Sequence, residues 1–262
     1  MKPFLKIAAS LLVIVLAGYG FVWNQLNQPL TGTLLPANHA FQSARPFTEL
    51  QLSRPDQGAI HGLLFRRVNS KGCVFFFHGG GGHVGNSIPF IPDHFQRHGY
   101  DVFLMDYRQF GKSRGQPSQQ HFYDDASAIY YELKKKYGEK QLILVGHSLG
   151  CAIAASVAAR NHPAKLILVE PFYNLIGKSD GKNPMPWFWP RRTAYTFRTD
   201  EFVRQTRCPV YIFSGTKSVL FSAGKNLISL CNSASRLFPI AGAGHDDIFT
   251  KTDYDRALAS LL

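Results

Sequence analysis

Acidic residues are scarce in this chain. Aspartate and glutamate number 17 against 29 lysines and arginines, a formal charge of +12 with an isoelectric point near 9.6. Charged residues of both signs make up only 18% and hydrophobic residues 45%. That balance excludes a disordered chain, a collagen-like repeat and a coiled coil. Cysteine is also sparse: Cys73, Cys151, Cys208 and Cys231 are the whole set, and none forms a C-x-x-C pair. A disulfide scaffold, a zinc ribbon and a thioredoxin-type motif are thereby excluded. A phosphate-binding loop is missing too. Phe110-Gly111-Lys112-Ser113 comes nearest, but Asp106 stands where G-x-x-x-x-G-K-[ST] needs its first glycine. The basic excess suits an anionic surface. It is scattered along the chain and accompanied by no nucleic-acid motif, so no nucleic-acid partner is expected.

Long apolar runs are absent with one exception. Lys2 and Lys6 precede the run Ile7 to Trp23, whose 17 residues span about 25 Å as a helix, and no charge follows until Arg45. The pattern predicts a transmembrane or signal helix over residues 1–23. As an uncleaved single-pass anchor it places the N-terminus in the cytosol and the body of the protein on the exported side. A cleaved signal peptide, with Gly18-Tyr19-Gly20 as its weak processing site, would give a secreted or periplasmic protein. Residues 24–46 are polar and uncharged apart from Arg45, with scattered Pro and Gly, and read as a linker or extended arm. Residues 47–262 read as one domain, expected to be a monomer.

Within that domain, strands alternate with helices. Phe47 to Leu52 and Ala59 to Phe65 flank Pro55-Asp56-Gln57-Gly58, which predicts a hairpin. Cys73 to Phe77 is wholly apolar, as suits a strand buried on both faces. Asp101 to Met105, Gln141 to Val145, Lys165 to Val169 and Val210 to Phe213 repeat the pattern, and Arg236 to Ile240 is a weaker candidate. Helices are expected over Gln119 to Tyr137, Leu149 to Asn161, Ala223 to Ser229 and Asp253 to Leu262. This order predicts an α/β fold with a mostly parallel sheet and helices on both faces. Residues 171–200, with four prolines and Trp187-Phe188-Trp189, break the rhythm and read as a short lid after strand six.

The residues suited to chemistry stand at strand ends. Gly146-His147-Ser148-Leu149-Gly150 is G-x-S-x-G between a strand and a helix, the setting in which a serine hydroxyl is exposed as a nucleophile. His78-Gly79-Gly80-Gly81-Gly82 follows another strand. Its backbone offers an oxyanion site, with the N–H groups of Gly80 and Leu149 as donors. Ala243-Gly244-His245-Asp246-Asp247 follows the last strand, so His245 is the candidate general base.

These motifs resemble the alpha/beta-hydrolase superfamily from about Phe47 onward, which implies an eight-stranded sheet. The stretch Asp106-Tyr107-Arg108-Gln109-Phe110-Gly111-Lys112-Ser113-Arg114-Gly115 is similar to the loop after the fourth strand in one branch. That branch holds membrane-anchored serine hydrolases, including protein depalmitoylases, and lysophospholipase-like enzymes. The resemblance implies cleavage of acyl esters or thioesters without a cofactor. It also implies an aspartate after the seventh strand within G-x-x-D, but here Ser214-Gly215-Thr216-Lys217-Ser218 puts a serine there. Some members carry the acid after strand six, which points to Glu170. Asp246, Asp247, or no acid at all are the alternatives. The missing aspartate leaves open an inactive hydrolase fold that only binds. An aminopeptidase or amidase on the same scaffold would need an anionic pocket, and 171–200 contains only Asp180 and Asp200.

Other features have plainer readings. His94 and His98 are four apart but lack a third ligand, so they read as a solvated helix face and no metal is expected. Lys134-Lys135-Lys136 at a helix end, and Asp124-Asp125 in its first turn, read as macrodipole compensation. Trp187, Phe188 and Trp189 beside Arg191-Arg192 suit either a substrate lid facing a membrane or ordinary packing.

Overall fold

The computed structural model describes residues 16–20, 24, 28–175 and 194–262. Eight strands form one sheet: β1 (Thr48–Ser53), β2 (Ala59–Phe65), β3 (Cys73–Phe77), β4 (Asp101–Met105), β5 (Leu142–His147), β6 (Lys165–Val169), β7 (Val210–Gly215) and β8 (Arg236–Ile240). Their spatial order is β1-β2-β4-β3-β5-β6-β7-β8. The hairpin β1–β2 and the β2–β4 pair are antiparallel, and every other pairing is parallel.

Alternation along the strands divides the core in two. Phe75, Phe77, Leu142, Leu144 and Leu168 face one layer, built with α3 (Gln119–Tyr137), α4 (Leu149–Ala159), α5 (Thr199–Gln205) and α6 (Phe221–Ile228). Val74, Phe76, Ile143, Val145 and Val169 face the other, with α1 (Val84–Ser87), α2 (Ile91–Gln96) and α7 (Thr252–Ala259). The central strands are buried on both sides, which is why they read as unbroken apolar runs. Helix α4 is buried along nearly its whole length, with Ala152, Ala154, Ala155 and Ala158 fully so.

Residues 28–46 lie along the domain. Gly32 N donates to Gln109 O, Leu35 N donates to Gly111 O, and Phe41 is buried on the His61 ring. Of the expected anchor only residues 16–20 are described, as an exposed helical turn, and among the described residues no helix is long and apolar enough to cross a membrane. Trp187, Phe188, Trp189 and Arg191-Arg192 lie outside the described residues. The end of the segment read as a lid enters the core instead of standing apart. Tyr195 and Phe197 are buried and stack on Phe122 of α3, and α5 begins at Thr199.

Two expectations are corrected here. His94 is not solvated: it is buried, with Nε2 bonded to Phe249 O at 3.1 Å and Nδ1 2.7 Å from Asp255. Asp124 and Asp125 do not lie in the first turn of α3, which starts at Gln119 behind a Ser118 N-cap and has no acid there. Asp125 is instead buried beneath Arg108, which reaches it with Nε at 2.7 Å and Nη2 at 3.0 Å. Arg54 adds a third bond at 2.9 Å. A paired, forked guanidinium makes that burial tolerable.

Candidate active site

The parallel strands end level with one another, so their C-terminal loops gather at one edge, where α/β sheets place ligands. Ser148 follows β5 with φ 51° and ψ −115°, a conformation that non-glycine residues seldom adopt. Its neighbours explain how the turn closes. A Cβ on Gly146 would stand 2.4 Å from Gly150 O, and one on Gly150 would stand 2.1 Å from Phe77 O. Neither position has room for a side chain, and the strained serine between them stands clear of the sheet edge. Ser148 N is held by Val169 O at 3.0 Å.

The glycine loop after β3 is pinned at both ends. Tyr107 Oη donates to His78 O at 2.7 Å, and Asp106 Oδ1 accepts Val84 N at 2.8 Å. His83 and Asn86 then close a capping box on α1. Between these anchors Gly80 lies against the turn at Ser148: a Cβ there would sit 3.4 Å from Leu149 Cδ2. Leu149 is the first residue of α4, where backbone N–H groups have no partner within the helix and the helix dipole favours negative charge. The structure thus sets Gly80 against the side chain of Leu149, the residue after Ser148.

The third part comes from β6, β7 and the loop after β8. Glu170 is fully buried at the exit of β6, with φ 55°. One of its carboxylate oxygens accepts Gly215 N at the end of β7, and the other accepts the Ser218 hydroxyl. That second oxygen also lies 3.4 Å from His245 Nδ1. The neighbouring acids stand apart from this contact. Asp247 accepts Gly244 N at 2.7 Å and pairs with Lys251, and Asp246 makes no hydrogen bond among the described residues.

The hydrogen bond to Glu170 holds the His245 imidazole above its ordinary pKa against the opposing effect of partial burial. Burial, followed by the charge of His245, pushes His147 down to about 4, so this ring is neutral near pH 7. His147 Nε2 reaches His245 O at 3.4 Å, and the two rings lie 5.2 Å apart. All four thiols are unpaired, and burial lifts Cys151 far above the ordinary thiol range, which rules it out as a nucleophile.

Ser148 and His245 open on one cavity of about 460 Å³. Phe76, Phe90, Ile91 and Phe249 give it apolar walls, while His83, Asn86 and Asp246 supply polar lining. Ser148 and His245 are not hydrogen-bonded to each other, as is common before substrate binds. Sequence reasoning missed Asp106, Tyr107 and His147 as parts of the site. A carboxylate directly following the buried strand DVFLM was the available signal for Asp106.

The family profile described as Serine aminopeptidase, S33 matches residues 68–225. Alpha/beta hydrolase domain-containing protein 17C of Xenopus tropicalis is 29% identical over 77% of this chain and 65% of its own length. The Caenorhabditis elegans alpha/beta hydrolase domain-containing protein aho-3 is 27% identical over 74% of this chain and 58% of its own. The chain thus spans less than two thirds of these relatives. Among solved structures, the Pyrococcus furiosus esterase Pf2001 superposes with a TM-score of 0.70 at 15% identity, covering 90% of this chain and 98% of that one. An alpha-beta serine hydrolase homologue from Coxiella burnetii gives 0.63 at 18% identity, covering 86% and 100%. At that identity the structural likeness speaks for the fold. The sequence match to the profile carries the assignment: the chain belongs to the Serine aminopeptidase, S33 family of alpha/beta hydrolases.

Proposed function

We propose that this chain is a serine hydrolase of acyl esters and thioesters, with Ser148 as nucleophile, His245 as general base and Glu170 as the acid that orients it. One observation carries the reading. A strained serine, set between two glycines that admit no side chain, opens on the same cavity as a histidine whose Nδ1 faces a buried carboxylate.

Glu170 favours the tautomer with its proton on Nδ1, which leaves the Nε2 lone pair to take the proton of Ser148. Ser148 Oγ adds to the acyl carbon, and the carbonyl oxygen becomes an oxyanion held by the N–H groups of Gly80 and Leu149. Collapse expels the alcohol or thiol, which receives its proton from Nε2. Water, deprotonated by His245, then attacks the acyl-enzyme and releases the carboxylic acid and free Ser148. Each step uses groups of this chain.

The apolar walls favour an acyl chain over a sugar or nucleotide. The finer reading, removal of an acyl group from a protein cysteine, is supported by the resemblance to membrane-anchored depalmitoylases. The likeness to Alpha/beta hydrolase domain-containing protein 17C supports the same branch. A second reading, hydrolysis of an aminoacyl amide, is favoured by the family's description and by Asp246, an acid on the cavity that could pair with a free amine.

Fluorophosphonate labelling followed by intact-mass measurement tests the class. Wild type is expected to gain one adduct and Ser148→Ala none. Folded wild type that takes no adduct would instead make this an inactive binding protein. Parallel assays with acyl esters, acyl thioesters and aminoacyl anilides then separate the substrates, and turnover confined to the anilide would overturn the ester reading.

A further inference from the structure

Ser218 stands where the resemblance places the usual triad aspartate, and the structure gives it a defined task there. After β7 the chain turns, with Ser218 N bonded to Gly215 O at 3.0 Å. Leu220 N donates to Ser218 Oγ at 3.1 Å. That bond occupies one lone pair of the hydroxyl and fixes its position within the turn. Its hydrogen is directed to Glu170, because the carboxylate oxygen it meets has none to give.

A glutamate has one more rotatable bond than an aspartate, so a carboxylate delivered from β6 needs more restraint. Here it is held on both oxygens, by Gly215 N on one and by Ser218 on the other. The oxygen bonded to Ser218 is the one that faces His245 Nδ1 at 3.4 Å. We infer that Ser218 is a positioning residue, a hydroxyl clamp that aims the Glu170 carboxylate at His245 after the acid has moved from the seventh strand to the sixth. The inference rests on the serine-hydrolase reading above and adds to it the device that makes a displaced acid serviceable. Ser218 itself does not line the cavity on which Ser148 and His245 open.

The test is steady-state hydrolysis of an acyl ester by wild type, Ser218→Val, Ser218→Thr and Glu170→Gln. Val and Thr have nearly the same shape and differ in the hydroxyl. Ser218→Val is expected to lose roughly tenfold or more in kcat, as befits a lost hydrogen bond to a charged group. Its KM should stay within about twofold, because the group lost is not a binding contact. Ser218→Thr is expected to return kcat to the wild-type range. Equal losses in Val and Thr would assign the effect to packing and overturn the inference. So would a Ser218→Val enzyme of wild-type kcat while Glu170→Gln is crippled. Wild-type turnover by Glu170→Gln would overturn the underlying reading instead, so the two failures are told apart.

Discussion

Among the described residues, two of the six non-glycine residues with positive φ are Ser148 and Glu170. Backbone strain of this kind persists only where the surroundings over-determine it. Here the surroundings are the glycine contacts at the Ser148 turn and the hydrogen bonds on the Glu170 carboxylate. At this scale the sequence was legible where a recognisable motif stands in the loop after a strand, although Asp106, directly after β4, was passed over. Ser148 and Glu170 were read directly after β5 and β6 and His245 from the loop after β8, and the structure brings His245 and Glu170 into contact. Residues whose role depends on burial were not legible. His94 looked like one more surface histidine, because nothing local announces that Phe249 and Asp255 close over it. The His245 contact carries a prediction about pH. Glu170 stabilises the imidazolium, so the ring keeps its proton to higher pH than the ordinary value of about 6.5. The general base is the neutral form. A pH profile of kcat/KM should therefore rise with pH, with its acidic midpoint above about 6.5. A midpoint at or below that value would mean that the two side chains are not coupled in solution.

Among the elements, strands buried on both faces announced themselves. Cys73–Phe77, Asp101–Met105 and Lys165–Val169 match their expected bounds, because continuous apolar runs bounded by polar residues admit little else. Helix α3 was equally plain, with a Ser118 cap and three lysines in its last turn. The helices that escaped notice were α1 and α5, of four and seven residues, while α2 was met only through His94 and His98. Segments that short present too few turns for a 3.6-residue period to register. Helix α3 also shows what pattern alone misses. Asp125 was read as balancing the helix dipole, yet it is buried and holds Arg108, whose side chain is only 2% exposed. Its removal should leave that guanidinium with only the half-exposed Asp56 for a carboxylate partner. Asp125→Ala is expected to destabilise the fold by about 3 kcal/mol in chemical denaturation. A change below about 1 kcal/mol would show that the pair is dispensable.

Across the whole molecule, the alternation of strands and helices predicted the layers, but strand order is a property of long-range pairing that local pattern does not encode. The position of β4 between β2 and β3 is one such fact. So is the path of residues 28–46, part of the stretch read as a linker or extended arm, which lie along the domain with Phe41 in its core. The site itself exists only at this scale. The glycine loop after β3, the nucleophile turn after β5, Glu170 after β6, Ser218 after β7 and His245 after β8 come from five separate strand ends. Parallel register sets those ends at one edge. In the proposed mechanism the carboxylate after β6 does the work of the absent aspartate after β7. The most direct measurement is kcat/KM of Glu170→Gln for an acyl ester, with folding checked by circular dichroism. Glutamine preserves the shape and can still accept from Gly215 N, but it cannot stabilise the imidazolium of His245. Glu170→Gln is expected to lose on the order of 10³- to 10⁴-fold, as when a triad carboxylate is neutralised. A folded Glu170→Gln enzyme within about tenfold of wild type would contradict it.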